Sequence, residues 1–212
     1  MKTFFEHQAV AFEATKDLPF YAYHWEMRVG KTLPVIRTVG YQYDKGNIDL
    51  CLMTAPGALP LKWSRQDVPE DRPDDEIFEW DTDLADRKWY QKKLEEFLTQ
   101  RNGKLKWFFI SGESINTPKA KKVILKLLKE YKIFLVNDES HFFKNYKSKR
   151  TKFVMQISEK IHWVRNLTGT PSTKGPFDLW SQFYIGDPSI LGYNYHAHKN
   201  RYGVFIRRTL GS

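Results

Sequence analysis

The chain is predicted to fold as a single α/β domain, a mainly parallel β-sheet with helices on both faces, and three observations carry that prediction. Short apolar runs alternate with amphipathic stretches along the whole sequence, strand then helix, without internal repeat or low-complexity tract. One run, Phe134-Leu135-Val136-Asn137, ends abruptly in Asp138-Glu139-Ser140-His141; in an open α/β sheet such a strand tip delivers its side chains to the crevice where ligands bind. Another, Phe20 to Trp25, leads through Gly30-Lys31-Thr32 into helical spacing, the context a phosphate-binding turn requires.

Length and composition bound the rest. At 212 residues the chain suffices for one full domain with a small appendage, and 41% hydrophobic with 28% charged residues is an ordinary globular composition. No run approaches the length that spans a bilayer, and the N-terminus lacks the apolar core of a signal peptide, so a cytoplasmic protein is expected. The single cysteine, Cys51, excludes an internal disulfide and a cysteine-based zinc site. The net charge of +9 is uneven, because residues 67–86 are strongly acidic and the remainder is correspondingly more basic. A basic surface favours a polyanionic partner through counterion release, although solubility alone also accounts for such charge.

Taken in order, Glu6 to about Lys16 has helical character with Val10 and Ala14 on one face, and Pro19 breaks it. Phe20 to Trp25 reads as the first central strand. Leu33, Val35, Ile36 and Val39 keep helical spacing, with Pro34 tolerated in the first turn. Residues 48–54 form a second strand, closed by Ala55-Pro56-Gly57, and a helix carrying Leu59, Leu61 and Trp63 follows. The acidic segment with Pro69 and Pro73 reads as a surface loop before a short strand at Ile77 to Trp80. Asp86 to Gln100 is an amphipathic helix stopped by Asn102-Gly103, and Leu105 to Ser111 is a strand. Pro118 opens a lysine-rich helix, Lys132 to Val136 is the carboxylate-bearing strand, a helix ends near Glu159, and Ile161 to Leu167 is a further strand ending in Thr168-Gly169-Thr170-Pro171.

Two of these stretches bear on chemistry. Of two adjacent carboxylates at a strand tip, one can hold a magnesium ion while its neighbour takes a proton from water; a buried strand running into a charged turn has the same composition. The Gly30-Lys31-Thr32 turn lacks the glycine of the full phosphate-loop pattern at Trp25, and Arg28 stands where helicase variants usually have glycine. The mixed cations and aromatics from Phe143 to Arg150 suit a surface that tracks phosphates and stacks bases, and equally an exposed loop.

The order of these elements resembles the N-terminal RecA-like lobe of superfamily 2 helicases, and within them the Swi/Snf-like DNA translocase branch with its phage and restriction-system relatives. His7-Gln8 looks like the adenine-sensing glutamine element, Met27 to Thr32 like the phosphate loop, and Thr54 to Leu59 with Trp63 like the first nucleic-acid-contact element. Asp138-Glu139-Ser140-His141 with Lys144-Asn145 is similar to the Asp-Glu-Ala-His box and its basic continuation, and Leu167 to Pro171 is identical to the translocase form of the third motif. Arg28, Asn137 (where an apolar residue is usual) and Lys174 (where asparagine is frequent) depart from the pattern.

The resemblance implies a RecA-like P-loop NTPase domain over residues 1–190, with 191–212 an extension or the start of a linker to a second lobe. It implies ATP and Mg2+ as ligands, DNA in preference to RNA as partner, and a second RecA-like lobe in the same or another chain. By it, Gln8, Arg28, Val29, Gly30, Lys31 and Thr32 contact the nucleotide, Thr32 and Asp138 hold the metal, and Lys31, Asp138 and Glu139 are catalytic, with Glu139 the base. His141, Thr168 and Thr170 couple that site to nucleic acid bound by Pro56, Gly57, Trp63, Lys144, Lys147, Lys149 and Arg150. Arg207 and Arg208 read as a linker or basic tail rather than an arginine finger, so one lobe alone is expected to hydrolyse ATP slowly. Alternatives from other classes are a non-hydrolysing interaction module on the same fold, and a phosphate-loop kinase, which has no need of the Leu-Thr-Gly-Thr-Pro element.

Overall fold

The computed structural model describes residues 2–172 and 175–203. Its six strands, β1 (Phe20–Tyr23), β2 (Leu50–Ala55), β3 (Glu76–Glu79), β4 (Lys106–Ser111), β5 (Ile133–Asp138) and β6 (Trp163–Leu167), form one sheet in the order β1-β6-β5-β2-β4-β3. Every pairing is parallel. The helices are α1 (Glu6–Thr15), α2 (Thr32–Asp44), α3 (Leu59–Lys62), α4 (Val68–Asp71), α5 (Lys88–Thr99), α6 (Pro118–Glu130), α7 (Lys149–Ser158), α8 (Leu179–Gly186), α9 (Pro188–Leu191) and α10 (Tyr195–Tyr202).

The period-two alternation of a strand sends neighbouring residues to opposite faces, and two apolar layers follow from it. Leu50, Leu52, Phe108, Ile110 and Leu135 pack under α5, α6 and α7 through Phe97, Ile124 and Val154. Cys51, Met53, Phe109, Phe134 and Val136 pack under α2 through Val35, Ile36 and Val39. Thr117 and Ser148 cap α6 and α7 by accepting from the N–H groups of Ala120 and Thr151.

Two expectations are corrected, the central place of β1 and the loop character of the acidic segment. Strand β1 pairs only with β6 and lies at a sheet edge among the described residues rather than in the centre. Its aromatics close that edge: Phe20 meets Phe183 of α8 edge-on, and the Tyr23 hydroxyl lies 2.9 Å from Thr15 Oγ1 of α1. On α1 the buried residues are Gln8 and Thr15, while Val10 is 64% exposed. The acidic segment is not a free loop. A five-residue π-helical turn (Trp63–Asp67) joins α3 to α4, and buried Asp71 pairs with Arg37. Asp75 pairs with Arg72 and accepts from the Trp107 indole at 2.8 Å, so part of the acidity is neutralised internally.

Residues 191–203 pack back onto the domain. Tyr195 of α10 stacks on Tyr146 at 3.9 Å, and the Trp180 indole donates to the Gly192 carbonyl at 2.9 Å. His198 is buried between the rings of Phe177 and Tyr202. Burial pushes its imidazole below the ordinary value, opposed by the Pro176 and Leu191 carbonyls. A folded-state value below the unfolded one contributes stability that is present above the unfolded pKa and is lost as pH falls through the folded one. The melting temperature is therefore expected to fall more steeply from about pH 7.5 to about pH 5 in the parent than in His198→Phe. Parallel curves by scanning calorimetry would remove His198 from the acid response.

Candidate nucleotide-binding site

An all-parallel sheet ends all its strands on one side, and the segments after β1, β2, β5 and β6 carry the candidate residues there. After β1 the chain turns through Gly30, with φ +80°, into α2. The N-terminus of α2 has no side-chain cap and no acidic residue in its first turn, so no side chain of the helix competes for its leading N–H groups at the positive dipole end. Lys31 folds its ammonium back over the loop, donating to the carbonyls of Trp25 and Glu26 at 3.0 and 2.9 Å. Thr32 begins the helix.

The loop is held from below by α1. Gln8 is buried; its Nε2 donates to the Gly30 carbonyl at 2.8 Å and its Oε1 accepts from the Phe5 N–H at 2.9 Å. The φ of residue 30 favours glycine, and a Cβ there would lie 2.4 Å from that Nε2, so a larger residue would also displace the Gln8 amide. His7 Nε2 sits 3.0 Å from the Val29 carbonyl. Arg28, exposed, adopts φ 67°, the conformation glycine takes freely, at a cost of about 1 kcal/mol. A cavity of about 380 Å³ opens beside Gln8 and Thr32, lined also by Phe5 and Ile36.

Asp138 and Glu139 occupy the tip of β5 and have different surroundings. Asp138 is 9% exposed; its Oδ2 accepts from the Trp63 indole N–H at 2.9 Å and its Oδ1 from the Glu139 N–H at 3.0 Å. Burial pushes its carboxyl above the ordinary value; the Trp63 hydrogen bond opposes this, the Glu139 charge adds to it and the Lys31 charge opposes it. Glu139 takes the left-handed conformation, φ 52°. The Thr168 hydroxyl donates to its Oε2 at 3.2 Å, and His141 Nδ1 lies 3.1 Å from the same oxygen and 2.9 Å from Thr168 Oγ1. Thr170 closes the group, its N–H donating to Thr168 Oγ1 at 3.1 Å and its hydroxyl 3.5 Å from His141 Nδ1. Glu139, His141, Thr168 and Thr170 therefore form one cluster.

The donor set suits magnesium. Among the described residues no group of three or more His, Cys, Asp or Glu side chains could hold a metal. Magnesium needs no such cage, since it keeps several waters and takes one or two protein oxygens with substrate phosphates. The buried carboxylate of Asp138, disfavoured in its charged form by desolvation, is a group that an added cation would stabilise.

The remaining residues separate by exposure. Gly57 is exposed, Pro56 half-buried, and the Gly57 N–H donates to Glu113 at 3.2 Å. Lys147 and Lys149 are exposed; Lys144 lies 4.0 Å from Asp178, and the Arg150 guanidinium covers the Phe142 ring at 3.7 Å. Trp63, at 1% exposure, is in the core rather than on the surface with these residues. An indole on the inward side of a short helix buries its ring and needs a partner for its N–H, here Asp138. Lys174, Arg207 and Arg208 lie outside the described residues.

Sequence reading missed a buried polar network behind the site. Asn137 Nδ2 donates to Asn166 Oδ1 at 2.8 Å, and Asn166 Nδ2 to the Gln182 carbonyl at 2.7 Å. Gln182 Oε1 accepts from Ser140 at 2.8 Å, while its Nε2 donates to the Pro171 carbonyl at 2.7 Å. Gln182 thus ties the segment after β5 to the segment after β6. Its signal was the pair of asparagines interrupting two apolar strands, which the parallel register places side by side.

No protein-family model matches the chain. The fold is similar to the Sulfolobus solfataricus SWI2/SNF2 ATPase core in complex with dsDNA, with a TM-score of 0.72 and 19% identity over 94% of this chain and 38% of that one. The same organism's SWI2/SNF2 ATPase core domain matches with a TM-score of 0.68 at 20% identity, again over 94% and 38%. A zebrafish (Danio rerio) SWI/SNF-related matrix-associated actin-dependent regulator of chromatin, containing DEAD/H box 1A, is 26% identical over 78% of this chain and 16% of its own length. Putative protein p41 of Acyrthosiphon pisum secondary endosymbiont phage 1 is 39% identical over 32% of this chain and 16% of its own. Over 94% of its length the chain thus shares the fold of those ATPase-core structures, and it spans well under half the length of these relatives.

Proposed function

We propose that this chain is the ATP-binding lobe of an ATP-dependent DNA translocase or helicase, acting with a second RecA-like lobe. The observation that carries the reading is the convergence at the C-terminal ends of the strands of an uncapped helix N-terminus with Lys31 and Thr32, the Asp138–Glu139 pair, and the Glu139–His141–Thr168 cluster. The similarity to a SWI2/SNF2 core solved with dsDNA supports DNA over RNA.

In this reading the N–H groups of α2 and the Lys31 ammonium hold the β- and γ-phosphates, which requires Lys31 to leave the Trp25 and Glu26 carbonyls. Gln8 and Phe5 border the cavity that receives adenine, and Arg28 and Val29, in the loop that leads to Gly30, contact the nucleotide. Thr32 and Asp138 would hold magnesium, which when bound neutralises phosphate charge. Glu139, half-buried and oriented by Thr168 and His141, takes the proton of the attacking water. Thr170 and Thr168 pass the state of that cluster towards DNA held by Pro56, Gly57, Lys144, Lys147, Lys149 and Arg150. Residues 1–190 are the lobe and 191–212 lead towards its partner lobe, whose arginine completes the charge at the γ-phosphate. Such a motor works in the cytoplasm, the host's if the chain is phage-encoded.

Calorimetry with Mg·ATP and anisotropy with labelled duplex DNA test this reading. Both ligands are expected to bind, with DNA affinity falling steeply as salt rises, and hydrolysis is expected to stay slow until a second lobe is supplied. DNA binding without any binding of Mg·ATP would instead make the chain a non-hydrolysing interaction module.

A further inference from the structure

The segment after β2 reaches two distant parts of the domain. Its leading end, Pro56 to Leu61, lies on the outer side, with Gly57 and Leu61 exposed. Its trailing end is anchored at two places. Ser64 and Arg65 bind Glu79 at the tip of β3, the hydroxyl at 2.6 Å and the guanidinium at 2.9 and 2.8 Å. Trp63 binds Asp138 at the tip of β5, across 75 residues of sequence. All three anchoring residues lie in the π-helical turn, Trp63–Asp67, into which the helix widens at Trp63. An α-helix accommodates such a turn only at the expense of regular bonding, and single π turns concentrate at functional sites.

The chemistry of the Trp63 contact is specific. The indole offers one hydrogen, and it goes to the carboxylate oxygen that the Glu139 N–H does not reach. Each oxygen of Asp138 is thus fixed by one donor, and the plane of the carboxylate is set jointly by β5 and by the helix after β2. The remainder of the Trp63 ring lies in the apolar layer with Ile36 and Val136, so a rotation of the helix turns the indole as a unit.

We infer that Trp63 is a positioning residue through which nucleic acid seated on residues 56–61 sets the orientation of the metal-holding carboxylate of Asp138. This rests on the nucleotide reading above. It supplies a route from polymer to metal independent of the His141–Thr168–Thr170 cluster, running through one hydrogen bond.

Trp63→Phe tests it, because phenylalanine keeps an aromatic ring in the core and removes only the indole N–H and part of the ring volume. With Mn2+ as the probe, free ion is counted by electron paramagnetic resonance while ATP is titrated, with and without a short DNA duplex. The variant is expected to bind Mn·ATP about tenfold more weakly, the scale seen when a hydrogen bond behind a metal ligand is removed. ATP binding in EDTA is expected to be unchanged, and the effect of DNA on Mn·ATP affinity to disappear. A merely structural tryptophan would weaken both nucleotide forms alike and leave the DNA effect in place, which would overturn the inference. Absence of ATP binding by the parent chain would overturn the nucleotide reading and this inference with it, whereas a variant equal to the parent in every titration overturns this inference alone. Should Trp63→Phe fail to fold, the indole N–H resonance of the unsubstituted chain decides: it is expected to shift on adding Mg·ATP and again on adding duplex, and a resonance unmoved by both overturns the proposal.

Discussion

Replacing Lys31 by alanine is expected to weaken Mg·ATP binding by at least about 100-fold, the equivalent of roughly 3 kcal/mol of charge-assisted hydrogen bonding. The ammonium now satisfies only two carbonyls of its own loop, Trp25 and Glu26, and the Glu26 contact is solvent-exposed, so water replaces it readily in the variant. The fold should therefore lose little: a partly exposed substitution away from the core is within about 0.5 kcal/mol. Phosphates offer the same ammonium a stronger set of acceptors, beside helix N–H groups that have no side-chain cap. The measurement is calorimetric affinity for Mg·ATP alongside the melting temperature of both proteins. Equal affinities would remove the phosphate role from this loop. A large fall in melting temperature would assign Lys31 to loop structure instead.

What the sequence disclosed of this site depended on whether function was written in local order. Strand and helix alternation, Lys31-Thr32 after a strand, and two carboxylates closing an apolar run are all features of neighbouring residues, and each stands where local reasoning placed it. The contacts that fix them are not local. Gln8 reaches Gly30 across 22 residues, Thr168 reaches Glu139 across 29, and Trp63 reaches Asp138 across 75. Composition gave Trp63 an aromatic character suited equally to stacking bases and to filling a core; only the sheet order, which sets β2 beside β5, decided for the core. The same holds for β1, whose aromatic run fits a central strand and a covered edge equally well until its single partner is known.

Asn137 shows the complementary case. As a polar residue it departs from the apolar run around it in a buried strand, and alone it would carry a desolvation cost on the order of 1–3 kcal/mol. Parallel pairing places Asn166 opposite it, and their hydrogen bond continues through Gln182 to Ser140 and Pro171. The departure is thus matched by a second one on the next strand. Together they tie the tips of β5 and β6 to each other directly behind Glu139 and Thr168.

Glu139→Gln is expected to lower ATP hydrolysis by about 10²- to 10⁴-fold, the usual contribution of a positioned general base, while Mg·ATP affinity changes little. The amide is isosteric and still accepts from Thr168, so the cluster with His141 and Thr170 keeps its shape and only the proton acceptor is removed. Asp138 is a poor substitute, because it is buried and the Trp63 and Glu139 N–H groups fix both its oxygens away from the Glu139 side chain's cluster with Thr168. Hydrolysis is read by single-turnover release of phosphate, with a second lobe supplied and again with this chain alone. Turnover unchanged in the variant would move the base away from Glu139. Fast, DNA-stimulated turnover by this chain alone, abolished by Glu139→Gln, would keep the base and discard the second lobe, because the charge opposite the γ-phosphate would then come from within these 212 residues.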